Sequence, residues 1–119
     1  MKLSIKERLI LLNILPAQET YANLRIVQEL KNELGFSEQD YAYLELVEDN
    51  GDVSWNPDRK VEKDIRIGIA AFEVIKKAFR KLDLDKTLTL DMLPAYERFT
   101  EDDPSVDTEV VDIDNARTG

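Results

Sequence analysis

The feature that most constrains the fold is an apolar run over residues 9–15, which Pro16 closes. Ser4 precedes this run and Glu7 follows three residues later, which is the spacing of a capping box. We therefore predict a helix that begins at Ser4 and ends just before Pro16. Apolar residues occupy most sides of this helix, which indicates burial against several neighbours. Asn13 is the one polar residue inside the run, and we expect its side chain to be buried and hydrogen-bonded.

Two more helices are predicted directly after the first. Thr20 can cap the second helix at its start, and Gly35 can end it. Ser37 and Asp40 repeat the capping-box spacing and predict a short third helix. The predicted apolar face of the second helix consists of Tyr21, Leu24, Val27, Leu30 and Leu34.

The dipeptide Asn50-Gly51 lies between two alternating segments, which is the strongest short-range signal for a β-hairpin. A third strand over residues 65–67 would extend this hairpin, since an isolated hairpin is only marginally stable. The residues predicted to share the buried face of the hairpin are Leu44, Leu46, Val53 and Trp55.

The C-terminal half begins with a fourth helix, which Gly68 opens, and a last helix is predicted over residues 91–99. The apolar face of the fourth helix consists of Ile69, Phe72, Ile75, Phe79 and Leu82. Apolar periodicity then ends, so residues 100–119 are predicted to form a disordered acidic tail. We predict an α+β fold that is mostly helical, with three N-terminal helices, a hairpin of two or three short strands and two C-terminal helices. Residues 1–99 should form a single compact domain.

The net charge of −9 is unevenly distributed along the chain. The tail holds seven acids and one base and carries −6, whereas residues 1–99 carry only −3. Affinity for nucleic acid comes mainly from Lys and Arg side chains that neutralise phosphates, so we expect no direct nucleic-acid binding. Helices followed by a hairpin are typical of a winged helix, but the third helix and the turn are acidic here. A protein-binding variant of that layout fits the charges better.

The chain contains neither Cys nor His. Their absence excludes disulfides, thiolate zinc sites and Ser-His triads, and it removes the commonest general base. We therefore predict a protein that is not an enzyme and needs no cofactor. The apolar run is far shorter than the roughly 20 residues of a membrane-spanning helix, and no signal-peptide pattern precedes it. We expect no membrane segment and a cytoplasmic location.

One loop resembles a calcium-binding EF-hand, because four oxygen-bearing side chains fall at ligand positions: Asp83, Asp85, Thr87 and Asp91. However, Leu88 stands where that loop needs its turn glycine, and Pro94 stands where it needs a bidentate glutamate. A helix end followed by a helix cap explains the segment better, and we predict no metal site.

The residues best suited to contact a protein partner are aromatic or lie in the tail. Trp55 together with Tyr41 or Tyr43 could anchor a partner, and Tyr43 is the tyrosine that we select, although filling the buried face of the hairpin is the simpler interpretation of Trp55. In the tail, Glu101, Asp102 and Asp103 are the residues that we predict to bind a partner through their charge.

Three strings of residues resemble a group of small proteins encoded by tailed bacteriophages and prophages. They are Leu11-Leu12-Asn13-Ile14-Leu15-Pro16, Val53-Ser54-Trp55-Asn56 and Leu93-Pro94-Ala95-Tyr96-Glu97-Arg98-Phe99. The resemblance covers residues 1–99, leaves out the tail and implies no catalytic residues. It implies a context, the cytoplasm of an infected or lysogenic bacterium.

Two functions follow as expectations. The first is a non-enzymatic protein that binds a host or phage protein and inhibits a defence or nucleic-acid-binding factor, for example by mimicking the charge of DNA. The second is an oligomeric structural or assembly component of a phage particle.

Overall fold

The computed structural model describes residues 1–100, which form five α-helices and two antiparallel sheets of two strands each. The elements in chain order are β1 (Lys2–Leu3), α1 (Ile5–Ile14), α2 (Tyr21–Leu34), α3 (Glu38–Leu44), β2 (Val47–Asp49), β3 (Asp52–Ser54), β4 (Lys63–Asp64), α4 (Ile69–Leu84), a 3₁₀ turn (Leu90–Met92) and α5 (Leu93–Thr100). The predicted α+β class, mostly helical, is confirmed. Thr100, which the sequence assigns to the tail, lies in α5 and is buried. The prediction of a disordered tail otherwise falls outside the described residues.

The predicted starts of α1, α2 and α3 are confirmed because each depends on local chemistry, whereas the last helix, predicted from residue 91, begins at Leu93 after the 3₁₀ turn. The Ser4 hydroxyl accepts a hydrogen bond from the Glu7 amide at 3.2 Å, and the Glu7 carboxylate accepts one from the Ser4 amide at 2.9 Å. Ser37 and Asp40 make the same reciprocal pair at the start of α3. The Thr20 hydroxyl accepts from the third amide of α2 at 3.2 Å. These contacts satisfy amide groups that have no partner inside the helix.

The predicted hairpin forms, with Asp49 opposite Asp52 in register. Asn50 and Gly51 both have positive φ angles, of 51° and 85°, as a two-residue turn between twisted strands requires. The predicted shared buried face forms only in part: Leu44 is fully buried, whereas the other members, Leu46, Val53 and Trp55, are half-buried.

The predicted third strand is wrong. Among residues 1–100, β2 and β3 pair only with each other, and β4 pairs with β1 in a separate sheet. The Ile65 amide, next in sequence, donates to the Met1 carbonyl at 2.8 Å, and the Ile65 side chain is fully buried. This segment therefore pairs with the start of the chain, a distant partner that a local alternation cannot reveal.

The core lies where α1, α2, α4 and α5 meet. Phe79 of α4 and Phe99 of α5 are fully buried, with ring centroids 6.1 Å apart. The fully buried aliphatic residues of this core are Leu3, Leu11, Leu34, Ile65 and Ile75. None of the helices within residues 1–100 is long and apolar enough to cross a membrane.

Two predicted core positions are exposed because they are the first residues of their helices. Tyr21 of α2 is 75% exposed and Ile69 of α4 is 83% exposed. Helical side chains point back toward the N-terminus, so a first-turn side chain extends past the end of the packed surface. Leu24, one turn into α2, is also exposed at 37%.

The prediction for Asn13 is also wrong, since its side chain is exposed. Leu11 and Leu15 point into the core, and Asn13 lies about 200° around the helix from Leu11. The buried polar side chain of α1 is instead Arg8, which is only 1% exposed. Arg8 lies one turn before Leu11, on the same face of the helix.

Candidate functional site

A groove of about 610 Å³ lies between the start of α1 and the segment that follows β3. We call it the Trp55 groove. Its volume falls in the range typical of ligand pockets, and most of its lining is apolar. The residues that line it are Ser4, Ile5, Lys6, Trp55, Pro57, Arg59, Lys60, Val61 and Glu62.

The wall of the groove that carries Trp55 is held by backbone hydrogen bonds. The Asn56 amide donates to the carbonyl of Leu44, the last residue of α3, at 2.8 Å. The Asn56 side chain accepts from the Asp58 amide at 3.0 Å, and the Arg59 amide donates to the Asn56 carbonyl at 3.1 Å. These bonds form a tight turn over residues 56–59. Trp55 and Arg59 therefore have a fixed backbone on which to face the groove.

Arg59 contacts Tyr43 and lines the groove together with Trp55. Its guanidinium lies 5.2 Å from the centroid of the Tyr43 ring and donates to the Tyr43 carbonyl at 2.7 Å. Arg59 also lies 3.5 Å from the Glu45 carboxylate. Tyr43 is 51% exposed and lies outside the groove, whereas Trp55 is half-buried and lines it. Tyr43 and Trp55 thus belong to one surface together with Arg59. Arg59 was not among the residues predicted from the sequence to bind a partner.

The described residues that line the groove carry a net positive formal charge, although the chain as a whole carries −9. Among residues 1–100, three cations line it, Lys6, Arg59 and Lys60, against one acid, Glu62. Lys6 approaches Asp91 only loosely, at 3.7 Å. Opposite charges on a partner would therefore be attracted to this groove rather than to the acidic surface of α3 and the hairpin turn.

A second depression, of about 620 Å³, is lined by Arg8, but Arg8 has a structural role. The Arg8 Nε donates to the Leu34 carbonyl at 3.1 Å, and its Nη2 donates to the Gly35 carbonyl. Its guanidinium stacks 4.0 Å from the centroid of the Phe36 ring and lies 3.9 Å from the Asp40 carboxylate. Burial lowers the pKa of Arg8, and the charge of Asp40 opposes that shift. Arg8 therefore binds the end of α2 and the start of α3 to α1.

The acids of the EF-hand-like loop each contact another side chain. Asp83 accepts from the Tyr96 hydroxyl at 3.2 Å, and Asp85 pairs with Lys81 at 2.8 Å. Asp91 faces Lys6. Over residues 1–100, no group of three or more His, Cys, Asp or Glu residues is arranged to hold a metal ion.

The other predicted contact residues, Glu101, Asp102 and Asp103, lie outside the described part of the chain. Comparison of the chain with protein-family models, with curated proteins and with solved structures found no match.

Proposed function

We propose that this chain is a non-enzymatic protein that acts by binding another protein, and that the Trp55 groove is its docking surface. The observation that carries the proposal is a mostly apolar groove that contains the single tryptophan of the chain and three cations. Trp, Tyr and Arg are the side chains that most often dominate binding energy at interfaces. Here Trp55, Tyr43 and Arg59 form one such surface.

The charge of the groove defines the partner's chemistry. Its binding segment should carry acidic residues for Lys6, Arg59 and Lys60, and an apolar side chain for Trp55. The charges would speed association and select among partners, while apolar burial on Trp55 would supply most of the affinity. Such a segment would belong to a host or phage protein in a bacterial cytoplasm. Inhibition of a defence or nucleic-acid-binding factor is the function that the phage resemblance favours.

The test is quantitative capture of proteins from a bacterial lysate by immobilised wild-type chain and two variants. Trp55→Ala removes the anchor, and Lys60→Glu reverses one charge of the groove. Arg80→Glu is the matched control, because Arg80 lines a different depression beside Glu19 and Asn23. We expect one captured species to fall at least tenfold with Trp55→Ala and severalfold with Lys60→Glu, but to remain with Arg80→Glu. Equal capture by all four chains would contradict the proposal.

The second candidate is an oligomeric assembly component. The observation in its favour is that Ile69, Leu84 and Leu90 are each more than 80% exposed. Side chains of this kind could lie in contacts between copies, although single exposed apolar residues are common on monomers. Sedimentation over a wide concentration range tests this candidate. A monomer throughout, together with absence of the chain from purified particles, would reject it.

A further inference from the structure

We propose that the acidic segment 101–119 of this chain occupies the Trp55 groove of the same molecule and must leave it before a protein partner can bind. That the segment occupies the groove does not depend on the proposed function. That it competes there with a protein partner rests on the proposed function. The proposal follows from three features: where the segment starts, which charges it carries, and which charges face it.

Two hydrogen bonds link the end of α5, just before the segment, to the lining of the groove. Arg98 of α5 donates to the Glu7 carboxylate at 2.7 Å, and the other oxygen of Glu7 accepts from the Ser4 amide at 2.9 Å. Ser4 in turn lines the groove. The last residue of α5, Thr100, is anchored by a 2.6 Å hydrogen bond from its hydroxyl to the Tyr96 carbonyl. The segment therefore begins three residues after Arg98, whose partner Glu7 is hydrogen-bonded to the lining residue Ser4.

The charges of the segment complement those of the groove. Glu101, Asp102 and Asp103 come first, and the later acids alternate with apolar residues, Val106, Val110, Val111 and Ile113. This is the composition that the groove selects, acids for its cations and an apolar side chain for Trp55. An extended chain advances about 3.3 Å per residue, so ten residues of the segment can reach ~33 Å from the end of α5.

Attachment to the same molecule favours this occupant over a second copy. A short linker gives a tethered segment an effective concentration in the millimolar range, so weak contacts suffice for occupation. Exposed ion pairs are individually weak and are screened by salt. The arrangement should therefore be reversible and sensitive to ionic strength. A partner with a stronger apolar anchor would displace the segment.

The sequence offers an unusually clean experiment, since it contains one Trp and no Cys. Ser105→Cys creates a unique attachment site for a dye that accepts energy from Trp55. We expect energy transfer to fall at least twofold in ~1 M salt, where the screening length is about 3 Å. It should also fall in Lys60→Glu and in the triple variant Glu101→Gln, Asp102→Asn, Asp103→Asn. Arg80→Glu is the control and should leave the transfer unchanged.

Three outcomes would count against the proposal. Transfer that ignores both salt and the charge variants would show that the segment does not occupy the groove. Transfer that rises with protein concentration would show that the occupant comes from a second copy. Acrylamide quenching of Trp55 fluorescence in the unlabelled chain is the control for an effect of the dye itself on the segment. Quenching should increase in the triple variant, and unchanged quenching would count against occupation.

The same variants separate this proposal from the proposed function. If the segment competes with a partner, the triple variant should capture that partner about tenfold more tightly, as expected for the loss of three weak ion pairs. A charge-dependent transfer signal without Trp55-dependent capture would leave the segment in the groove and reject the partner. Trp55-dependent capture without a charge-dependent transfer signal would support the partner and reject occupation of the groove by the segment.

Discussion

Two regions of this molecule are held together in different ways. The helical body, made of α1, α2, α4 and α5, buries Leu11, Phe79 and Phe99 completely. The arm, residues 37–62, includes α3, the hairpin and the turn that carries Arg59. Within the arm only Leu44 is fully buried, and the strand residues are half-buried or exposed. The arm is held by caps and turns, and by the 2.8 Å hydrogen bond from the Tyr41 hydroxyl to Glu48.

The difference explains why the candidate site lies at the edge of the arm. A body made of buried apolar side chains supplies stability but presents little that a partner could recognise. The arm contributes little burial and can place Trp55, Tyr43 and Arg59 at the surface on a fixed backbone. Binding residues are commonly found on segments of this kind that a rigid scaffold positions. If the comparison is right, substitutions in the two regions should have separable effects.

The largest effect should come from the body. Leu11→Ala should lower the free energy of unfolding by about 2–5 kcal/mol, because Leu11 is fully buried and its truncation leaves a cavity. Leu12→Ala, one residue away on a half-buried face, should cost less than about 2 kcal/mol. Urea unfolding followed by circular dichroism measures both. Equal costs would mean that the core does not surround α1 as described.

Arg8 tests the junction between body and arm. Arg8→Met removes the donors for the Leu34 and Gly35 carbonyls and should cost about 2–4 kcal/mol. Arg8→Lys keeps a charge but loses the stacking on Phe36, so its cost should be intermediate. The measurement is again the midpoint of urea unfolding. An Arg8→Met variant as stable as wild type would show that this junction is dispensable.

Glu7 tests an electrostatic contact within the body. Burial raises the pKa of Glu7, but hydrogen bonds from the Ser4 amide and from Arg98 outweigh it and hold the pKa below its usual value. Because the folded pKa is depressed, this stabilisation is present above the unfolded value of about 4.3 and is lost as pH falls through the folded pKa. Glu7→Gln should cost about 1 kcal/mol at pH 7 and reduce the loss of stability on acidification. Unfolding curves from pH 7 to pH 3 measure this, with Glu29→Gln on exposed α2 surface as control. A parallel pH dependence in Glu7→Gln and wild type would exclude the contact.

The smallest effect should come from the hairpin turn. Gly51 has a φ of 85°, so Gly51→Ala should strain the turn by about 1 kcal/mol. The effect should be confined to the arm: amide hydrogen exchange should speed up in β2 and β3 and stay constant in α4. If exchange in α4 accelerates as much as in β2, arm and body unfold as one unit and the comparison fails.

The features of the fold that could be predicted from the sequence are those that depend on neighbouring residues, and the features that could not are those that depend on distant ones. The caps at Ser4, Thr20 and Ser37 and the turn at Asn50-Gly51 were predictable, because each depends on residues within a few positions of one another. The burial of Arg8 was not, because its partners lie at the far end of α2. The pairing of β1 with β4 gave no signal at all, since two residues are too few to show an alternation. The Trp55 groove combines both cases: Trp55 was singled out from the sequence and Arg59 lies four residues away, but Lys6, about fifty residues earlier, is brought to them only by the fold.

That pairing of β1 with β4 has a consequence for how the groove comes into existence. The register joins Leu3 to Lys63, about sixty residues further along the chain. One wall of the groove follows β1 and the other precedes β4, so the two walls meet only when this long loop closes. Long-range closure is entropically costly and tends to come late in folding. A ligand in the groove would therefore bind only the completed fold, and by linkage it would stabilise the last contacts to form.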